Sequence, residues 1–511
     1  MIEAEEAPAA AVDLRSATLR GVRWFGAARV SSEAMMLASS VVLARLLPPA
    51  AFGEAALPTA IVAIATALTV QGVATPLVQM RDVTREDLRT AWSLSIGSGL
   101  ALTVLSFLLA PVLVTPIFGH AISSLFRLSS PVWLLAGLAA VPQALLERRL
   151  DFRLISVVAV ASMVGSTAVS IVLAVAGFGA RSVVLGQVAL AAVTALLYLT
   201  RVRMPRLGWN RGSAKRIAST GSAISLSSLF FTAYRNIDYA ILAARLPATQ
   251  VGIYWRAYQF GVTYQGKVSR VLLQLALPLY ARAADADEMR RLRAKITQVH
   301  AATIVPCLGF FVVVAPTVVP ALFGKSWTPV VEPARILAIV GVIAALLTGT
   351  GPLMIAAGRA RTLVWWNASE VLMYGVLVLA ISHRGIIAVA WAAAAYGVVK
   401  AAILQFVVRR HTRISALQLW RDLLPAAVAT AVSMGAAEAV VRVGHDRIPG
   451  LVAVALALVV AAPVYVGALR ILFPRVGADL MLLLRQFSRA RRRRDAPRIR
   501  PVDGAAPDPA A

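Results

Sequence analysis

A single cysteine, Cys307, stands in 511 residues, which excludes an internal disulfide and any cysteine-built metal cluster. The five histidines, His120, His300, His383, His411 and His445, are scattered without the spacing that metal ligands need, so neither a metal nor another cofactor is expected. Acid is scarce too: 24 Asp+Glu against 51 Lys+Arg leave a net charge of +27. Charged residues make up only 15% of the chain, where a soluble domain carries about a quarter. No hundred-residue stretch is polar enough for a separate soluble domain, so a soluble enzyme is excluded. A secretory leader is not expected either, because Glu3, Glu5, Glu6 and Asp13 occupy the place of a basic, then apolar, start. Phe323-Gly324-Lys325-Ser326 resembles the end of a phosphate loop, but Val319 stands where its first glycine is required.

What is present is apolar. Hydrophobic residues make up 59% of the chain and the mean hydropathy is +0.76. They fall in runs of about 20, the length a helix needs to cross a bilayer. An all-α polytopic membrane protein is expected, with about fourteen transmembrane helices near 21–44, 54–79, 91–118, 128–146, 154–176, 182–200, 219–243, 253–279, 296–322, 334–356, 362–381, 385–408, 422–441 and 450–472. Spans 1, 7 and 8 are the most polar.

Basic residues set the orientation. The two termini and the loops after even-numbered spans hold 36 Lys and Arg, the opposite loops hold nine, and six lie inside spans. This fourfold bias places both termini in the cytoplasm. It also accounts for the net charge, which in a soluble chain would suggest nucleic acid; no nucleic-acid partner is expected here. In the tail, Arg485 to Arg500 include the run Arg491 to Arg494, suited to anionic lipid headgroups.

The chain repeats itself. Ala110–Gly119 aligns without gaps on Ala315–Gly324, Leu47-Pro48 with Phe52-Gly53 on Leu246-Pro247 with Val251-Gly252, and Gly179 on Gly385, at offsets of 205, 199 and 206. Three matches in order at nearly one offset predict a six-helix duplication. Six is even, so the two bundles are parallel repeats. The expected organisation is a cytoplasmic segment 1–20, a bundle 21–203, a basic linker 204–218, a second bundle 219–410, accessory helices 411–473 and a basic tail 474–511.

Charges inside spans must face a cavity or a partner, because each costs about 2.5–3.5 kcal/mol at mid-bilayer. In span 8, Arg256, Thr263, Lys267, Arg270 and Gln274 recur at helical spacing, three of them cations, with Val262, Val268, Leu272 and Leu275 behind them. Such a stripe suits a watery cavity that receives an anion. In span 7, Ser225, Ser228, Thr232, Arg235 and Tyr239 share a face, with Asp238 one turn from Arg235; in span 1, Arg29 and Glu33 stand four apart. The last two pairs suit either internal ion pairing or cavity lining. Glu370 and Lys400 suit pairing within the second bundle or contact with headgroups.

Ala44–Gly53 and its counterpart Leu246–Tyr254, the basic loop Leu145–Arg153, and Asn236–Leu242 resemble the polysaccharide (lipopolysaccharide/exopolysaccharide) flippases of the multidrug/oligosaccharidyl-lipid/polysaccharide exporter superfamily. The resemblance covers about residues 15–475 as an architecture. It implies a non-enzymatic carrier of the bacterial inner membrane that moves a polyprenyl-pyrophosphate-linked oligosaccharide outward by alternating access, with the downstream polymerase machinery as a partner. On that likeness Lys267 and Arg270 meet the pyrophosphate, Arg29, Arg235 and Arg256 line the cationic cavity, and Glu33 and Asp238 are candidate ion or proton sites. A peptidoglycan lipid-precursor flippase and a multidrug exporter remain alternatives, the second disfavoured because an organic cation asks for an acidic cavity.

Overall fold

The computed structural model describes residues 31–474 apart from 274–275, 277–279, 281–284, 348, 413–415 and 445–447. The expected segment 1–20, Arg29 and the Arg-rich tail therefore lie outside the described residues. Within them the chain is helical, without strands. In order come α1 (31–46), α2 (Pro49–Gln79), α3 (Arg85–Leu109), α4 (Thr115–Ser129), α5 (Pro131–Arg148), α6 (Phe152–Val175) and α7 (Ala180–Arg201). Then follow α8 (Arg211–Tyr234), α9 (Ile237–Arg245), α10 (Ala248–Tyr258), α11 (Tyr264–Leu273) and α12 (Ala286–Phe323). The series closes with α13 (Val331–Leu347), α14 (Thr350–Ala356), α15 (Ala360–Ile381), α16 (Ile386–Thr412), α17 (Ala416–Gly444) and α18 (Gly450–Leu472). π turns join α3 to α4 (Ala110–Val114) and α10 to α11 (Gln259–Thr263).

Ten helical stretches among the described residues are long and apolar enough to cross a membrane. One of them, Arg85–Arg148, runs for 64 residues and holds the places expected for spans 3 and 4. The stretches expected as spans 1, 7 and 8 are not among the ten; those of spans 1 and 8 lie partly outside the described residues. The outward surface carries exposed Leu, Val, Ile and Phe along most helices, Val172, Leu372, Val459 and Phe406 among them, as lipid contact requires. Inward surfaces are rich in alanine and glycine, which let helix backbones come close. Gly137, for instance, stands where a Cβ would lie 2.4 Å from the Ser95 carbonyl oxygen.

Helix ends follow local chemistry. Thr84 and Asp87 form a reciprocal capping box at the start of α3, and Asp151 and Asp285 cap α6 and α12. The aligned glycines adopt matching backbone geometry: Gly119 and Gly324 have φ of 83° and 103°, and Gly179 and Gly385 have 54° and 87°. Positive φ favours glycine at each. Gly324 ends α12, so the false phosphate-loop motif is a helix terminus followed by a 3-10 turn, Lys325–Val330.

Two expectations change. Span 7 is not one continuous helix: it breaks at Arg235 and Asn236, where the Asn236 amide donates to the Thr232 carbonyl at 2.8 Å. An asparagine side chain competes with the backbone for helical hydrogen bonds, and the break removes Asp238 and Tyr239 from the face shared by Ser228 and Thr232. The stretch 204–218 is also more structured than a linker, because α8 begins at Arg211 on an Asn210 cap. The segment before it is strapped to α3: Arg89 donates to the Arg206 carbonyl, Ser93 to that of Gly208, and Asn210 to Glu86 at 2.7 Å. Arg216 completes the strap by pairing with buried Asp87 at 2.6 Å. Replacing Asp87 by alanine removes both the cap and this partner. It should cost about 1–3 kcal/mol, read as a lowered melting temperature of the purified protein; an unchanged one would remove this role.

Candidate functional site

The charged residues of spans 1 and 8 meet where α1 and α2 pack on α10 and α11. The N-terminal ends of α2 and α10 approach as closely as backbones allow. A Cβ on Gly53 would lie 1.8 Å from the Ala248 carbonyl oxygen, and one on Gly252 would lie 1.9 Å from that of Pro49. These are the junctions aligned as repeats, and they cross reciprocally. Beside them Arg45 donates to the carbonyls of Ala321 and Leu322, and the Trp327 indole donates to Ala44 at 2.8 Å.

Arg256 lies beneath this contact, 1% exposed. Four rings surround its guanidinium: Phe52 at 4.7 Å, Trp327 at 5.1 Å, Phe323 at 5.3 Å and Trp255 at 5.4 Å. It donates to Ser40 of α1 and, at 3.5 Å, to Gln259. Nε and Nη2 find no hydrogen-bond partner among the described residues. Cation–π attraction of about 0.5–2 kcal/mol per ring thus takes the place of a counter-ion. In this conformation Arg256 is enclosed and lines no open surface.

Lys267 follows eleven residues later, about 16 Å along the axis. Its ammonium is 2.7 Å from the Glu33 carboxylate. The side chains are 17% and 32% exposed, so this pair across α1 and α11 is only partly enclosed. Arg29, which sequence spacing sets four residues from Glu33, lies outside the described residues; within them Glu33 meets Lys267, 234 residues away. The Arg270 side chain and Gln274 lie outside the described residues.

Arg235, at the helix break, approaches the same stretch. Its guanidinium passes Gly266, 3.6 Å from where a Cβ would stand, and lies over Phe231 and Tyr258. Asp238, by contrast, is fully buried and accepts from the Tyr254 hydroxyl at 2.9 Å, the Tyr374 hydroxyl at 3.4 Å and its neighbour's backbone amide. Sequence spacing allowed an ion pair between Arg235 and Asp238, but no such pair is among the salt bridges of the described residues. Edge and tilted ring contacts extend the cluster to Tyr234, Tyr239, Tyr258 and Tyr396. At its margin Lys400 lies 2.6 Å from Glu370 and 4.2 Å from the centre of the Tyr234 ring, one of the two arrangements the sequence left open for that pair.

The seam therefore holds cations, and the acids beside it are held by protein donors. The profile of a family described as polysaccharide biosynthesis proteins matches residues 42–332. The chain belongs to that family. It is a multi-pass protein of the bacterial inner membrane, and the likeness to polysaccharide flippases read from its junction motifs holds. Among relatives of this polysaccharide biosynthesis protein, it is 28% identical over 336 residues to the teichuronic acid biosynthesis protein TuaB of Bacillus subtilis, covering 64% of this chain and 69% of that one. It is 23% identical over 367 residues to the lipopolysaccharide biosynthesis protein WzxC of Escherichia coli, covering 71% and 75%. Its fold is similar to that of the lipid II flippase MurJ in an inward closed conformation, with a TM-score of 0.70 at 13% identity over 88% of this chain and 99% of MurJ.

Sequence reasoning missed the aromatic cage and the tyrosine cluster. Phe52, Phe323 and Trp327 stand in segments read as turn punctuation, and nothing local marks them as neighbours of Arg256. The one available signal was that Phe52 and Phe323 each stand directly before a glycine of a repeated segment, Gly53 and Gly324.

Proposed function

We propose that this protein is a flippase that carries polyprenyl-pyrophosphate-linked oligosaccharide repeat units from the cytoplasmic to the outer leaflet for surface polysaccharide synthesis. It is a carrier and not an enzyme. The observation that carries the reading is Lys267 on the seam between α1 and α11, where a carboxylate already occupies the place an anionic headgroup would take. Family membership and the names of WzxC and TuaB support the substrate class.

The physical need is plain. A pyrophosphate cannot enter hydrocarbon unless cations and water replace its hydration. Lys267, Arg270, Arg235 and Arg29 would meet it in turn, and Arg256 would meet it once its cage opens. The polyprenyl tail stays in lipid. In this reading fourteen spans, with both termini in the cytoplasm, form parallel bundles 21–203 and 219–410 that alternate in access, flanked by the helices of 411–473. Glu33 and Asp238 are the candidates for coupling to an ion or proton, the Arg-rich tail rests on anionic headgroups, and the polymerase machinery takes the delivered unit.

The test is a deletion strain. Complete lipid-linked repeat units should accumulate in the cytoplasmic leaflet while surface polysaccharide disappears. Complementation with Lys267→Glu and Arg270→Glu together should fail at normal membrane levels of the protein. Unchanged glycan in the deletion strain, with new sensitivity to cationic drugs, would move the protein to the exporters.

A further inference from the structure

Lys267 does not wait empty for its ligand. Its ammonium lies 2.7 Å from Glu33, which comes from the other side of the seam, and both side chains are partly exposed. Any anion that binds Lys267 competes with a resident charge of −1. A bulk membrane phospholipid offers a phosphodiester whose single negative charge equals the one it would displace, and exchange gains nothing. A pyrophosphate diester carries two negative charges and gains by the exchange. The difference matters because ordinary phospholipids greatly outnumber any lipid-linked sugar in the surrounding bilayer.

From this we infer that Glu33 is a resident competitor that makes the Lys267 site selective for doubly charged pyrophosphate lipids over singly charged phosphodiester lipids. The inference rests on the flippase reading and assigns a specificity-determining residue within it. Other groups nearby fit the role less well. Asp238 is held by tyrosine hydroxyls, and Glu370 is buried against its own lysine, so neither faces Lys267. The same exchange would also loosen α1 from α11, because Glu33 and Lys267 form an ion pair between them.

The test is equilibrium binding of radiolabelled farnesyl pyrophosphate to the full-length protein in nanodiscs, either of phosphatidylcholine alone or with half phosphatidylglycerol. For the wild type, phosphatidylglycerol should leave the affinity unchanged. Glu33→Gln should bind the probe about fivefold to tenfold more tightly in phosphatidylcholine, the size expected for losing a partly exposed ion pair, and should lose that gain when phosphatidylglycerol is present. Glu33→Asp, which keeps the charge, should retain the selectivity. Equal behaviour of Glu33→Gln and wild type in both lipids overturns the inference. So does competition by phosphatidylglycerol in the wild type, a result that needs no variant to fold. If no protein binds the probe, this inference falls, and the leaflet measurement in the deletion strain still decides the flippase reading by itself.

Discussion

Gly252→Ala should reduce surface polysaccharide at least tenfold, and Gly53→Ala should do nearly the same. Each added Cβ meets backbone, not a side chain that can rotate away: the Pro49 carbonyl oxygen at 1.9 Å for Gly252, the Ala248 carbonyl oxygen at 1.8 Å for Gly53. Ordinary contact distance requires α2 and α10 to separate by about 1 Å or more, which disfavours a closed junction. The single cysteine makes this measurable. In a Cys307→Ser background, a cysteine placed at buried Leu43 of α1 should be labelled faster by a water-soluble thiol reagent once either glycine is replaced. Because both alanines relieve one contact, the double variant should fall well short of the summed effect. Normal glycan and unchanged labelling would show that this close approach has no part in transport.

The same two glycines show how far the sequence was legible. Their equivalence could be read from the alignment of Leu47–Gly53 with Leu246–Gly252, but their contact could not, because nothing local states that two repeated junctions cross. Helical stretches follow from apolar runs bounded by charge, since a bilayer fixes their length and forbids unpaired backbone. Where that constraint is weak the reading fails. Asn236 breaks span 7, and residues 206–210 strap onto α3, both through polar side chains whose partners are set by tertiary structure.

The charged residues divide along the same line. The 3.6-residue period placed Arg256 and Lys267 on one face of one span, and the described helices α10 and α11 carry them in that order. The period does not reach between elements. The pairing of Glu33 with Lys267 is one that spacing within span 1 does not announce; Asp238 stands beside Arg235 in sequence, yet it is held by Tyr254 and Tyr374. Two cations on one helix thus have opposite surroundings. Lys267 has a carboxylate and is partly exposed, whereas Arg256 has rings and is enclosed. A ligand reaches the first by competing with Glu33 and must open the protein to reach the second.

That contrast makes Arg256→Met the variant that best separates folding from transport. Truncating one partner of a buried ion pair strands the other charge, but no salt bridge among the described residues involves Arg256. Methionine fills much of the same volume, packs well against Phe52, Phe323 and Trp327, and removes two nitrogens that lack hydrogen-bond partners. Replacing a buried charge by an apolar side chain of similar size is often neutral or stabilising by about 1–4 kcal/mol. The melting temperature of the purified variant should therefore hold or rise. On the flippase reading, transport should nevertheless fall at least a hundredfold, because a junction closed on a neutral side chain offers nothing to an arriving pyrophosphate and is held shut more firmly. Arg256→Lys should lie between, since an ammonium keeps the charge but cannot spread over four rings as a planar guanidinium does. A methionine variant that transports normally would mean the cage merely packs the junction. One that fails to fold would mean the guanidinium contributes stability that its ring contacts and the Ser40 hydroxyl supply together.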